Sequence, residues 1–250
     1  LNYGFVGKYF IEATLRGDGS SRFASDSRWG YFPGVSATWR IGDEQWIKSL
    51  GIFDDLKFRA SWGEMGNQSG IGYYDYISLI SISSGYYPFG TSTKGQMAKQ
   101  SNLVSSSRTW ETVVSTNVGV DFSFLKDRLY GSFDYFWKNN DNMLIPVTYP
   151  SVLGISAPST NSGKLEIHGW EAILGWRDRI GDFRYSISAN VSDAQNKVVS
   201  RIGTSIISKG NNTTPVGYPM DSWFGYVFDG ISQNEQELAE YKARFPNSGV

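Results

Sequence analysis

The sequence predicts an all-β protein, an antiparallel transmembrane β-barrel segment of about seven strands with long external loops and one short loop helix. Apolar and polar residues alternate with period two in runs of about ten residues, the length a tilted strand needs to cross a bilayer. The connections between runs are short at one end and long at the other, which is the pattern of periplasmic turns and extracellular loops. No apolar stretch approaches the ~20 residues of a membrane-spanning helix, so any crossing is made by strands. The 28 glycines, nine Trp, 15 Tyr and 15 Phe also favour strands and turns over helices.

The first run places Tyr9, Ile11, Ala13 and Leu15 on one face and Glu12, Thr14 and Arg16 on the other. In the second, Val35, Ala37, Trp39 and Ile41 alternate with Ser36, Thr38 and Arg40. The third sets Leu56, Phe58, Ala60 and Trp62 against Lys57, Arg59 and Ser61. The fourth sets Val114, Val118, Val120, Phe122 and Phe124 against Ser115, Asn117, Asp121 and Ser123. Three more follow over 129–137 with Ser132 and Asp134, 170–176 with Glu171, and 183–191 with Arg184, Ser186, Ser188 and Asn190 on their polar faces. Near the end, Ser232 with Glu235 reads as a capping box, Leu238, Tyr241 and Phe245 fall at helical spacing, and Pro246 stops the helix.

Short connections are expected at 126–127, 177–182 and, somewhat longer, 42–55. Long ones rich in Gly, Ser, Asn and Tyr are expected at 17–32, 63–110, 139–163 and after 193. Trp39, Trp62, Trp137, Trp170 and Trp176 lie near the ends of apolar faces, where amphipathic rings favour the membrane interface. A soluble β-sandwich also alternates, but its strands are nearer five or six residues and its loops less one-sided.

A net charge of -1 gives no reason to expect nucleic acid, and the absence of cysteine removes disulfides and thiolate metal sites. His168 is the only histidine, with no carboxylate cluster at ligand spacing, and reads as a strand-rim residue. The acidic pairs Asp43-Glu44 and Asp54-Asp55 fall in a turn. No catalytic arrangement, phosphate loop, metal site or cofactor motif is found, so neither an enzyme nor a cofactor is expected.

Seven strands cannot close a membrane barrel, which in single-chain bacterial examples has an even count of about eight or more. Further strands are therefore expected outside these residues. The blocks RGDGSSRF at 16–23, WGYFP at 29–33, SATWR at 36–40, LKFRASWGEMGN at 56–67 and DGISQNEQEL at 229–238, in that order and spacing, resemble the C-terminal half of the barrel in SusC/RagA-type TonB-linked outer-membrane transporters. The resemblance covers most of the chain, with 70–110 and 195–215 behaving as variable loops. Gly17 stands where the family often has another residue, and Trp62 where Tyr is common. The resemblance implies a barrel of about 22 strands around an N-terminal plug. It also implies a SusD-like surface lipoprotein, drive by TonB with ExbB and ExbD, and the outer membrane of a Bacteroidetes-type Gram-negative bacterium. The plug and the final barrel strands are expected outside this chain, which reads as one part of a single barrel domain.

The expected function is active import of a large nutrient, an oligosaccharide or peptide. The alternatives are a passive porin-like barrel and a soluble secreted carbohydrate-binding sandwich. Glu12, Arg16, Arg40, Lys57, Arg59, Asp121, Asp134, Glu171 and Arg184 are candidates to face the lumen or contact the plug. Tyr73, Tyr74, Tyr76, Tyr86, Tyr87 and Trp110 are candidates for solute or lid contact, or for packing the loops together. Asp18, Gly19, Ser20, Arg22 and Phe23 are expected to form a turn in which Gly17 and Gly19 allow positive φ, and Gly66-Asn67 a second, tight one.

Overall fold

A computed structural model describes residues 1–88, 94–100, 103–105, 107–146, 152, 154–155, 158–202, 211–225, 227–228 and 230–245. The seven alternating runs all form strands: β2 (Tyr9–Gly19), β3 (Trp29–Trp39), β4 (Phe53–Asn67), β7 (Glu111–Phe124), β8 (Leu129–Pro146), β9 (Ser159–Ile180) and β10 (Phe183–Ser200). An eighth, β1 (Asn2–Phe5), adds to the edge, giving one antiparallel sheet in the order β1-β2-β3-β4-β7-β8-β9-β10. Two further hairpins, β5 (Ile80–Pro88) with β6 (Lys94–Gln100) and β11 (Asn211–Thr213) with β12 (Ser222–Phe224), stand apart from it.

The register carries the apolar alternation across the whole sheet. Tyr9 pairs with Trp39, Trp39 with Phe58, Phe58 with Val120, Val120 with Phe133, Phe133 with Ala172 and Ala172 with Val191. A slip of one residue anywhere would turn a strand's apolar set onto the polar face, so the pattern itself pins the register. No second layer covers this face among the described residues: Ile11 is 53%, Leu174 53% and Ile187 70% exposed. Leaving such side chains in water forgoes roughly 1.5–3 kcal/mol each, which lipid recovers. A sandwich would have buried one face of the sheet against another. On β3, Trp29 and Trp39 mark the two ends of the outward face, and ten residues at ~3.3 Å, tilted about 40°, separate them by roughly 25 Å, the height of a barrel's apolar band.

The rim with short connections is built by local chemistry. Residues 6–8 turn β1 into β2 with Val6 and Gly7 both in the left-handed region (φ 51° and 66°). Residues 181–182 close β9 onto β10 between the paired Ile180 and Phe183. The 40–52 connection is not a plain turn: it holds a 3-10 turn at Ile41–Asp43 and helix α1 (Gln45–Lys48), whose Ile47 packs with Ile41 and Leu56. Gly42 approaches the Leu56 backbone so closely that a Cβ would lie 2.8 Å from its nitrogen.

Glu44 locks this rim together, accepting from Lys8 Nζ at 3.0 Å, Tyr9 Oη at 2.7 Å and Trp39 Nε1 at 3.4 Å. The Tyr9 hydrogen bond first, then Lys8, hold the Glu44 carboxyl below the ordinary glutamate range. A depressed folded-state value means the clamp contributes in full above the ordinary glutamate range and is lost as pH falls through the lowered value. The protection factor of the Arg40 amide, which donates to Lys8 O at 2.8 Å, should therefore fall on acidification; Glu44→Gln should remove most of that pH dependence.

At the opposite rim the strands outrun the expected ends, β8 to Pro146, β9 back to Ser159 and β10 to Ser200. The last helix, α2 (Glu235–Arg244), is capped by Asn234 rather than Ser232: Asn234 Oδ1 accepts the Glu237 amide at 2.9 Å, and Glu237 Oε2 accepts the Gln233 amide at 2.8 Å. The reciprocal box is formed two residues later than the Ser232–Glu235 spacing suggests, and Pro246 lies outside the described residues.

Candidate functional site

Alternation places a polar face opposite the apolar one, and in a membrane barrel that is the lumenal side. Its charged centre lies on β4, β7 and β8. Arg59 holds Asp121 with both Nε and Nη2 at 2.9 Å, and Nη2 also reaches Asp134 at 3.0 Å. The planar guanidinium suits this because it presents two parallel N–H groups to one carboxylate and keeps others for a second. One rung away, Lys57 lies across from Asp121 and pairs with Asp55 at 2.6 Å. Glu171 lies directly opposite Asp134 and makes no ion pair among the described residues. Like charges facing across a strand pair are unfavourable, and only Arg59 offsets them.

Arg59→Leu in the full-length protein should cost about 1–2 kcal/mol, a figure already reduced for solvent screening of half-exposed groups. Adding Asp121→Asn and Asp134→Asn should recover most of it. Urea unfolding from lipid vesicles checks the cycle, and purely additive costs would remove the network from the account.

The other lumen-facing candidates are more dispersed. Glu12 is exposed across from Ser36, Arg16 pairs with Asp18 at 2.8 Å, and Arg184 lies opposite Arg179 at the short-turn rim. Arg40 leaves the ladder, capping the 3-10 turn and pairing with Asp43 at 3.2 Å. His168 is on the outward face, between Trp137 and Gln195.

The motif residues expected to form turns sit mostly elsewhere. Asp18 and Gly19 finish β2, paired with Gly30 and Trp29, and neither Gly17 nor Gly19 has positive φ. These glycines instead admit aromatic rings, Tyr31 lying across Gly17 and Trp29 across Gly19. The turn starts at Ser20, whose Oγ accepts the Arg22 amide at 3.3 Å. Gly66 and Asn67 likewise end β4 rather than forming a tight turn, because Phe32 lies against Gly66 where any side chain would collide. Asn67 then starts the departure from the strand by accepting the Ser69 amide at 3.0 Å and donating to Glu111 Oε2 at 2.7 Å.

These motifs converge on one external cluster. Phe23, 1% exposed, packs with Phe32, Ile71 and Trp110, with Leu144 against them. The Phe23 and Trp110 ring centroids are 4.9 Å apart, and Phe32 meets Trp110 edge-on at 5.7 Å. Trp110 is thus engaged in packing the loops. Arg22 donates to Ile71 O at 2.9 Å and lies over the Tyr73 ring at 4.6 Å. Tyr73 and Tyr74 remain exposed and Tyr76 is half-buried, whereas the side chains of Tyr86 and Tyr87 lie outside the described residues.

Three polar residues that the pattern did not single out complete the seat. Arg108 reaches Ser159 O and Asp75 Oδ2, both at 2.8 Å. Asn161 takes both the amide and carbonyl of Thr109, and Glu111 accepts the Leu144 amide at 2.6 Å. Arg108 is a buried loop residue, and Glu111 and Asn161 sit at the starts of β7 and β9 beyond the alternating runs, so no period reveals them.

Comparison with known proteins places this sheet. A family profile described as TonB dependent receptor-like, beta-barrel, matches residues 1–238. TonB-dependent receptor SusC of Bacteroides thetaiotaomicron is 33% identical over 252 residues, 92% of this chain and 25% of that protein. TonB-dependent receptor P39 of Formosa agariphila is 32% identical over 96% of the chain and 22% of its own length. The chain therefore spans about a quarter of the length of the curated relatives it matches. The RagAB peptide importer in its closed-closed state superimposes with a TM-score of 0.76 at 24% identity, over 87% of this chain and 24% of that one.

Proposed function

Because the chain belongs to the TonB-dependent receptor-like β-barrel family, we propose that it forms part of the wall of a SusC/RagA-type transporter importing a large solute, an oligosaccharide or peptide, across the outer membrane of a Bacteroidetes-type bacterium. The observation that carries this reading is the single-layer sheet with one continuous, exposed apolar face and one face of ion-paired charge. The first is lipid-facing wall and the second is the lining of a solute path or the seat of a plug. The described peptide import by RagAB supports the peptide class, and the oligosaccharide class rests on the resemblance of the sequence blocks to SusC/RagA-type transporters. In this reading TonB with ExbB and ExbD supplies the energy, and a SusD-like lipoprotein sits over the external loops. Lumen-facing residues from Glu12 to Arg184 contact plug or solute, and the exposed Tyr73 and Tyr74 contact solute or lid.

The test is uptake by cells carrying the full-length gene, with and without TonB. Uptake that requires TonB supports the proposal, and TonB-independent, concentration-driven uptake would replace it with a passive porin.

A further inference from the structure

The polar face ends, at the short-turn rim, in a group of arginines. Alternation from Glu171 puts Arg177 and Arg179 of β9 on that face, and register sets Arg184 of β10 directly opposite Arg179. Arg128, just before β8, accepts the Arg177 amide at 2.8 Å, and Lys126 completes a shared concavity. Facing arginines on paired strands repel unless an anion sits between them.

Local acids engage only Arg128 and Arg179 of the group among the described residues. Arg128 is 3.3 Å from Asp178, and Arg179 bonds Gly181 O and the fully exposed Asp182. Arg177 uses no carboxylate, donating from Nε to Asp127 O at 2.7 Å and lying over the Tyr130 ring at 5.2 Å. The Asp127 carboxylate is taken by Ser123 Oγ at 2.6 Å. Neither Arg184 nor Lys126 has a carboxylate partner among the described residues. Two of the three guanidiniums, those of Arg177 and Arg179, are thus held along one edge with N–H groups left over, which favours bidentate capture of a carboxylate, and Arg184 faces them across the strand pair.

We propose that Arg177, Arg179 and Arg184 form an exit site for carboxylate-bearing solutes at the periplasmic mouth of the lumen. The site rests on the transport reading above. It lies roughly 20 Å along β9 from Glu171, six residues at ~3.3 Å each, so a solute leaving the ion-paired mid-wall of Arg59, Asp121 and Asp134 meets a cationic mouth. The attraction is electrostatic and therefore weakened by salt.

The test uses the full-length transporter in detergent, with hexaglutamate and trigalacturonate as probes and an uncharged serine–glycine hexapeptide as control. Replacing Arg177, Arg179 and Arg184 together by Gln should weaken one or both carboxylate probes by about tenfold or more, as should raising salt from ~0.05 to ~0.5 M, and leave the control unchanged. Preference for one probe identifies the peptide or the sugar acid as the source. If the triple variant loses heat-modifiable migration, Arg184→Gln alone carries the test, since its guanidinium holds no carboxylate among the described residues. Equal binding by wild type and variant, or no binding of either carboxylate probe to wild type, overturns the proposal. So does a variant whose only change is a lower melting temperature, which assigns the arginines to an acidic segment of the transporter itself. Uptake of a neutral solute that fails to depend on TonB sinks the transport reading while leaving these binding results standing.

Discussion

Phe23→Ala is expected to remove about 3–5 kcal/mol of local stability from the external cluster, the usual cost of truncating a fully buried phenylalanine. The ring touches Trp110 and shares its pocket with Phe32 and Ile71, which come from segments widely separated in sequence. One cavity therefore loosens three connections at once. Hydrogen exchange over 20–28 and 68–76 should speed up by orders of magnitude while heat-modifiable migration of the barrel stays intact. Unchanged protection would mean that the polar seat of Arg108, Glu111 and Asn161 holds the loops without the aromatic core.

Ala189→Arg should cost roughly 2–4 kcal/mol on folding into lipid vesicles, the penalty of an arginine on the lipid face near mid-depth. Ala189 pairs with Leu174, between the levels of Trp176 and Trp170, and its same-face neighbours on β10 are Ile187 and Val191. Ser188→Arg, one residue away on the opposite face beside Gly175, should be much milder. Equal tolerance at the two positions would invert the face assignment for the whole sheet, because the register ties every strand to this one.

Period two made the wall legible wherever its two sides meet different media. All seven runs became strands, and the short connection expected at 126–127 is a turn over 125–128, whereas the one expected at 177–182 contracts to 181–182 because 177–180 stay paired in β9. The reading stopped short where that difference ends. Asn139 to Pro146 and Asp193 to Ser200 stay paired to β9, but polar residues fall on both faces of 139–142 and 193–197, and the apolar residues of 143–145 and 198–199 are consecutive rather than alternating, so no period distinguishes them from loop. β1 is too short to display a period. Within the loops, Phe23 and Trp110 carry the same signal whether an aromatic grips a sugar or a neighbouring ring, and only tertiary packing separates the two. Gly66 was read for its torsional freedom, yet its role is to make room for Phe32. The helix cap was displaced because Ser232, Asn234, Glu235 and Glu237 offer two overlapping boxes, and the sequence does not rank them.

The polar extension of β10 means that one hydrogen-bonded strand obeys two sets of substitution rules. Below Val191, an outward position is filtered by hydrocarbon and accepts little but apolar residues. From Asp193 onward, the same strand and partner continue with exposed polar outward positions, Asp193, Gln195 and Lys197. Mutational drift should therefore change abruptly between two adjacent outward residues with no break in backbone geometry, so that a lineage can reshape the exterior collar of the wall without touching the part that must insert.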